Sequence, residues 1–187
     1  MITIRLLLFL LLSLFLLPCY SASLFPDKYD SEIKTAAKRY MPGTDWRLFK
    51  AQLWQESRFK DDAVSPAGAG GVSQFMPDTW DYVTQRMGIT GTRFDYRVAI
   101  PAAAYYMAQH HRFWSSPRPA TDRHQLALCN YNAGSGNCLK AQRLCNGALL
   151  YPDVIQCLPQ VTGYHSKETM DYVIYIYGFY EQMVIYE

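Results

Sequence analysis

The sequence predicts one mainly α-helical domain with little or no β-sheet. Apolar residues recur at helical spacing, as where Trp46, Phe49 and Leu53 stand at i, i+3 and i+7. Breaks rich in Gly and Pro separate these segments. No stretch alternates apolar and polar residues between hairpin turns, which is the pattern of a half-buried strand. A chain of 187 residues can bury one sizeable core.

Capping and breaking residues place the helices along this domain. Asp45 is a suitable N-cap, and Pro77 suits the first turn of a helix that ends near Gly88. The predicted helices are Ser31–Tyr40, a helix from Asp45 through Trp54, Pro77 to about Gly88, Val98–Phe113, Asp122–Tyr131, and Ser166 to the C-terminus. The segment from Asn132 to Gly163, rich in Gly, Pro and Asn, is predicted to form loops and short turns. The tyrosines of the last helix are interpreted as core residues, because that helix is apolar all round.

The first residues have the order of a secretory signal peptide. Arg5 precedes an apolar run from Leu6 to Leu17, and small residues follow from Ser21 to Ser23. That run is shorter than the ~20 residues of a membrane span. We therefore predict that residues 1–23 are a signal peptide and that residues 24–187 form a periplasmic or secreted domain. An uncleaved N-terminal anchor is the alternative.

Composition narrows the possible partners. A net charge of +2 without a long basic run argues against binding of nucleic acid or of an anionic membrane surface. Cys129, Cys138, Cys145 and Cys157 are an even set in an exported chain, which predicts two disulfides with three connectivities open. Neither their spacing nor that of the histidines is typical of a metal site, so we expect no metal and no cofactor.

Glu56 is the candidate catalytic residue. It stands in the expected last turn of its helix, where unpaired carbonyls disfavour a carboxylate by about 0.3–1 kcal/mol. Trp54, Phe59 and Val72 are positioned to exclude water from it. Burial and a negative helix end both favour the protonated acid, which is the state that donates a proton near neutral pH.

Taken alone, a Glu at a helix end is usually a solvated surface charge. The following run, SPAGAGGVSQFMP, changes this interpretation, because its glycines let the backbone pass close to a ligand. Gln74 adds an amide that can both donate and accept hydrogen bonds. Together they predict one wall of a cleft for an extended polymer.

Three motifs in order resemble the soluble lytic transglycosylases and goose-type lysozymes. The matching residues are Glu56-Ser57, Ser65-Pro66, Gly68 to Gln74 and Met76 to Thr79, then Tyr131-Asn132-Ala133-Gly134, then Glu168-Thr169 with Tyr172-Val173. The resemblance covers about residues 45–180. At two positions this sequence differs from the family pattern: Ser73 stands where the family usually has Met, and Asn130 where it commonly has Ala. We expect these differences to affect substrate preference.

The resemblance implies a lysozyme-like fold that cleaves peptidoglycan between N-acetylmuramic acid and N-acetylglucosamine. Glu56 would act as general acid and then base, and the 6-hydroxyl would close a 1,6-anhydro ring. Residues implied to bind substrate or support the acid are Ser57, Ser73, Gln74, Tyr131, Asn132 and Glu168. The Tyr131 hydroxyl is expected to reach toward Glu56.

Other interpretations remain open at this point. A hydrolytic lysozyme of the same fold would need a second carboxylate, for which Asp61 and Asp62 are the sequence candidates. A peptidoglycan-binding scaffold without catalysis is a further alternative. The partners expected are glycan strands and, in a specialised role, an envelope-spanning secretion or conjugation machine or a phage particle.

Overall fold

The computed structural model describes residues 25–186, which are almost entirely helical. The helices are α1 (Asp30–Tyr40), α2 (Trp46–Ser57), α3 (Pro77–Met87), α4 (Tyr96–Phe113), α5 (Ala120–Ala133), α6 (Ser135–Leu144), α7 (Tyr151–Ile155), α8 (Pro159–Thr162) and α9 (Ser166–Tyr186), with a 3-10 turn at Gly163–His165. Within these residues the only β-pairing consists of isolated bridges from Gly70 to Val64 and to Phe75. The predicted mainly α fold is confirmed. The predicted signal peptide, residues 1–23, lies outside the described residues.

The capping signals act where the sequence predicts them. The Asp45 side chain accepts a hydrogen bond from the Arg47 backbone N–H at 3.0 Å and caps α2. Pro77 opens α3, and Gly88 ends it in the left-handed conformation. The helix expected from Val98 begins earlier, at Tyr96, because Asp95 provides the N-cap. In the described part of the chain, none of the helices combines the length and apolar character that a membrane span needs.

The main core is built from residues of α1, α2, α4 and α9, and within it α2 and α9 run antiparallel. At the start of α2, Asp45 accepts a hydrogen bond from the Tyr180 hydroxyl at 3.3 Å. At the end of α2, Glu56 accepts a hydrogen bond from the hydroxyl of Tyr172, which lies two turns before Tyr180 on α9. Phe49 and Leu53 of α2 are fully buried in this core. The same packing brings the end of α2 against the first part of α9, where the cavity described below opens.

A second, smaller core supports the segment from Asn132 to Gly163. The prediction that this segment is loops and turns is wrong, since it contains α6, α7 and α8. Disulfides join Cys129 to Cys138 and Cys145 to Cys157, which resolves the open connectivity. These three helices are short, and they pack on a core that contains the disulfide-bonded cysteines and Leu158. The prolines interpreted as breakers stand instead in the first turns of α7 and α8, where proline is tolerated.

A glycine-rich loop leads from α2 to α3 and packs tightly against the segment before α4. Gly70 pairs with Phe75 through two backbone hydrogen bonds of 2.9 and 3.1 Å. A Cβ on Gly71 would lie 2.0 Å from the Arg93 carbonyl oxygen, and its φ of +76° is also unfavourable for other residues. Gly68 has a similar φ of +88°, but a Cβ there would meet nothing within 4 Å.

Replacing each of these two glycines by alanine separates backbone strain from steric overlap. We expect Gly68→Ala to lower the free energy of unfolding by about 1–2 kcal/mol, the cost of a left-handed non-glycine residue. Gly71→Ala adds a clash with a backbone carbonyl and is expected to cost more than about 4 kcal/mol. Urea unfolding of the two variants measures the difference. Equal losses would show that the loop does not pack on Arg93 as described.

Candidate active site

A cavity of about 520 Å³ opens where α2 ends and α9 begins. The glycine-rich loop and the end of α5 complete its walls. The residues that line it are Gln55, Glu56, Ser65, Ala67, Ala69, Gln74, Met76, Tyr131, Asn132, Glu168, Asp171, Tyr172 and Tyr175. Amides, carboxyls and aromatic rings alternate on these walls. The cavity therefore suits a ligand that presents both hydrogen-bonding groups and apolar faces.

Glu56 lines this cavity and is only partly exposed to solvent. Burial raises its pKa to about 8, and the nearby Glu168 carboxylate acts in the same direction. The Tyr172 hydroxyl donates a hydrogen bond to Oε1 of Glu56, which lowers the pKa and limits the rise. At neutral pH the Glu56 carboxyl is therefore mostly protonated and able to give up its proton.

The hydroxyl that donates a hydrogen bond to Glu56 belongs to Tyr172, while Tyr131, which is expected to reach toward Glu56, lies close enough to interact with it electrostatically. Tyr131 lines the same cavity, but its hydroxyl donates to the Ser73 carbonyl oxygen at 2.8 Å. Tyr172 is buried, as expected for a core residue, yet its polar end faces the acid. Burial raises the pKa of Tyr172 well above its usual value, so the phenol keeps its proton and remains a donor.

Ser57 and Ser73 lie behind the cavity wall and do not face the cavity. The Ser57 hydroxyl donates to the Val72 carbonyl oxygen at 3.0 Å, and the Ser73 hydroxyl donates to that of Ala99 at 3.3 Å. Both side chains are buried, and a buried hydroxyl without a partner would be costly. These serines fasten the loop to α2 and α4, which is a supporting role, and their expected contact with substrate stays a prediction.

Gln74, Asn132 and Glu168 all line the cavity, as the sequence motifs suggested. The Gln74 amide nitrogen donates to the Gly71 carbonyl oxygen at 2.9 Å, which fixes the side chain against its own loop. Oδ1 of Asn132 accepts from the Thr169 hydroxyl at 2.7 Å, which ties α5 to α9. These bonds hold the two amides in place at the cavity surface.

Other carboxylates are arranged differently from the sequence expectation. Asp61 and Asp62 do not line the cavity. Asp61 instead accepts hydrogen bonds from the Tyr29 hydroxyl and from Nζ of Lys28 at 3.1 Å. Asp171, which sequence reasoning missed, does line the cavity and pairs with Lys167.

One face of α9 supplies four cavity residues, of which the sequence analysis named only Glu168 as a site residue. Glu168, Asp171, Tyr172 and Tyr175 stand at i, i+3, i+4 and i+7, so helical spacing from Glu168 could have found the other three. Tyr175 is 52% exposed, which makes its assignment to the core wrong. The face combines two carboxylates with two phenols directly opposite the end of α2.

His111 and His124 do not line the cavity. Nε2 of His111 and Nδ1 of His124 are 2.9 Å apart, between α4 and α5. Burial lowers the pKa of His111 to about 4 and that of His124 to about 3, so both rings are neutral above these values. Over residues 25–186, no three His, Cys, Asp or Glu side chains group in a way that could hold a metal ion.

Comparison with known proteins finds a matching family model and relatives named as lytic murein transglycosylases. The family model described as Transglycosylase SLT domain matches residues 33–148. The membrane-bound lytic murein transglycosylase F of Pseudomonas savastanoi is 34% identical over 151 residues, covering 78% of this chain and 29% of that protein. Its counterpart from Marinobacter nauticus is 35% identical over 126 residues, covering 67% of this chain and 24% of that protein. The chain thus spans less than a third of the curated relatives it matches.

Solved structures agree with the expected fold. An inactive glutamate-to-glutamine mutant of the lytic transglycosylase Slt from Pseudomonas aeruginosa superposes with a TM-score of 0.66 at 25% identity, over 86% of this chain and 25% of that one. The 70-kDa soluble lytic transglycosylase from Escherichia coli gives the same TM-score at 22% identity, over 85% of this chain and 24% of that one. The lysozyme-like, mainly α fold implied by the resemblance is confirmed.

The raised pKa of Glu56 predicts how stability changes with pH. Between the ordinary value of 4.5 and about 8, the folded protein holds a proton on Glu56 that the unfolded chain releases. Folding therefore loses stability as the pH rises through this window. The variant Glu56→Gln has no such proton, so it should match the wild type near pH 4. Above pH 8 it should be more stable by on the order of 4 kcal/mol.

Chemical unfolding of both proteins from pH 4 to pH 9 measures this gap. Glu181 is an exposed residue of α9, so the variant Glu181→Gln serves as a control for removing one carboxylate. A gap between Glu56→Gln and wild type that does not change with pH would mean that Glu56 is as well solvated as a surface residue.

Proposed function

The chain belongs to the transglycosylase SLT domain family, and from this membership and the site we propose that it is a peptidoglycan lytic transglycosylase with Glu56 as its acid and base. The observation that carries the proposal is the Glu56 carboxyl, whose pKa is raised to about 8 by burial in the wall of an open cavity. An acid with such a pKa can both donate and recover a proton at neutral pH.

In the first step we propose that Glu56 protonates the oxygen between N-acetylmuramic acid and N-acetylglucosamine. The bond from that oxygen to the anomeric carbon breaks, and the anomeric carbon gains oxocarbenium character. The hydrogen bond from Tyr172 strengthens as Glu56 becomes a carboxylate, because it favours the charged form. The Glu168 carboxylate in the same cavity would stabilise the positive charge that develops on the sugar.

In the second step the Glu56 carboxylate takes the proton of the sugar's own 6-hydroxyl. The oxygen of that hydroxyl bonds to the anomeric carbon and forms the 1,6-anhydro ring. Glu56 is thereby protonated again, so the cycle closes without consuming water or a net proton. A single acid/base residue suffices for both steps, provided that its pKa stays near the working pH.

Hydrolysis is the second candidate reaction, and it needs a second carboxylate to activate water. The two residues that the sequence offered for this task have little support, because Asp61 and Asp62 lie outside the cavity and Asp61 is held by Lys28 and Tyr29. Glu168 and Asp171 are the carboxylates that share the cavity with Glu56. A hydrolytic route would have to use one of them.

We also propose that the enzyme acts outside the cytoplasm. Two disulfides are typical of proteins that fold in an oxidising compartment. Peptidoglycan is found there as well, so substrate and compartment agree. A role beside an envelope-spanning secretion or conjugation machine, or within a phage particle, stays a prediction.

Digestion of purified sacculi with wild type and with Glu56→Gln tests the proposed reaction. Mass spectrometry of the released muropeptides should find 1,6-anhydro ends with the wild type. We expect Glu56→Gln to lower the rate by about 10²–10⁴-fold, the usual contribution of a general acid and base. Asp61→Asn is the matched control, because it neutralises a carboxylate outside the cavity, and it should keep the wild-type rate. Reducing ends would identify hydrolysis, and equal release by wild type and Glu56→Gln would contradict the role of Glu56.

A further inference from the structure

A buried amide lies one helical turn before the acid. Gln52 precedes Glu56 by four residues on α2, so the two side chains lie on the same face of that helix. Gln52 is fully buried, although glutamine is mostly an exposed residue. Within residues 25–186, neither the nitrogen nor the oxygen of its amide has a hydrogen-bond partner. Burying an amide in this way is costly, so its presence in the core requires an explanation.

The group that this amide acts on is the Tyr172 hydroxyl of α9. Burial raises the pKa of Tyr172 well above its usual value, whereas the Gln52 amide acts in the opposite direction and lowers that pKa. A neutral neighbour lowers the pKa of a phenol when it offers a hydrogen to the phenol oxygen. Only the nitrogen of a glutamine amide carries hydrogens. The NH₂ group of Gln52 is therefore the side of the amide that faces the Tyr172 oxygen.

The phenol oxygen of Tyr172 is available as an acceptor. Its single proton is directed to Oε1 of Glu56, which leaves the lone pairs of the phenol oxygen for another donor. The three groups thus stand in the order amide N–H, phenol O–H and carboxyl oxygen. When Glu56 becomes a carboxylate it polarises the phenol, and the phenol oxygen then attracts the N–H of Gln52 more strongly. Each hydrogen bond in such a chain strengthens the next.

The other ionisable groups around Glu56 come from α9 and α5. Glu168 raises the pKa of Glu56, and Asp171 lines the same cavity. Tyr131 of α5 also lines it, but its hydroxyl donates to a backbone carbonyl of the glycine-rich loop. Tyr172 is the residue whose hydrogen bond lowers the pKa of Glu56. A group that supports Tyr172 as a donor therefore supports the Glu56 carboxylate.

We propose that Gln52 is a positioning residue for the reaction, whose amide N–H donates to the Tyr172 oxygen and holds the phenol O–H toward Glu56. Gln52 does not line the cavity, so it acts through Tyr172 and does not touch the substrate. It stabilises the carboxylate that forms when Glu56 protonates the glycosidic oxygen. The proposal rests on the proposed function, because it assigns Gln52 to the step in which Glu56 gives up its proton.

A carbon-13 NMR titration of Glu56 in wild type and in Gln52→Met tests this role without substrate. Methionine is unbranched and flexible like glutamine, but it has no N–H to donate. The midpoint of Glu56 should rise by about 0.3–1 pH unit in Gln52→Met, as expected for the loss of one neutral hydrogen bond. In a Tyr172→Phe background the same substitution should leave the midpoint unchanged, because the phenol oxygen that links Gln52 to Glu56 is absent.

Kinetics on soluble glycan strands give a second readout. We expect Gln52→Met to lower kcat by about three- to tenfold and to leave KM unchanged, because the lost interaction strengthens only as Glu56 ionises. Gln52→Leu, with a branched apolar side chain, should show the same changes. Gln142→Met on α6 is the matched control, since its amide donates to the Ala148 carbonyl oxygen at 2.8 Å and does not line the cavity. This control should titrate and react as the wild type does.

Two results would overturn the role of Gln52. One is an unchanged Glu56 midpoint in both Gln52 variants. The other is an equal shift of the midpoint with and without the Tyr172 hydroxyl, which would mean that Gln52 acts by packing or directly on Glu56. A wild type that releases no 1,6-anhydro ends would instead contradict the proposed function, and it would leave the coupling measured by titration intact.

Discussion

The site depends on the removal of water from one carboxyl group. Glu56 lies in the last turn of α2, where the unpaired carbonyls of the helix already disfavour a negative charge. Burial adds to this effect and raises the pKa of Glu56 to about 8. Tyr172 supplies the opposing interaction, because its hydroxyl favours the carboxylate form. The balance of these opposing effects gives an acid that can ionise during the reaction and recover its proton afterwards.

The rest of the fold keeps that carboxyl in place. The antiparallel packing of α2 on α9 brings Tyr172 to Glu56, and the hydroxyls of Ser57 and Ser73 fasten the loop that closes the other side. The backbone near this site is strained at two non-glycine residues with positive φ. These are Arg58, directly after α2, and Gln74 in the glycine-rich loop. Each such residue costs about 1–3 kcal/mol, and the surrounding packing must offset that cost.

Much of this could be predicted from the sequence, because the signals are local. Asp45, Pro77 and Gly88 delimit helices by their own backbone chemistry, and the position of Glu56 in the last turn follows from the length of α2. The helicity of α6 to α8 could not be predicted, since it depends on disulfides and on a second core assembled from distant segments. The hydrogen bond from Tyr172 to Glu56 could not be predicted for a similar reason. Which hydroxyl meets Glu56 is decided by the packing of α9 on α2, across 116 residues of sequence.

The most direct measurement is the pKa of the Glu56 carboxyl itself. Carbon-13 NMR of glutamate-labelled protein can follow this one resonance through a pH titration, with Glu56→Gln identifying it by its absence. The account predicts a midpoint near 8 in the wild type, and a higher one in Tyr172→Phe, which lacks the hydrogen bond that favours the carboxylate. A midpoint near the ordinary value of 4.5 would contradict it, because Glu56 would then be ionised, and unable to donate a proton, at neutral pH.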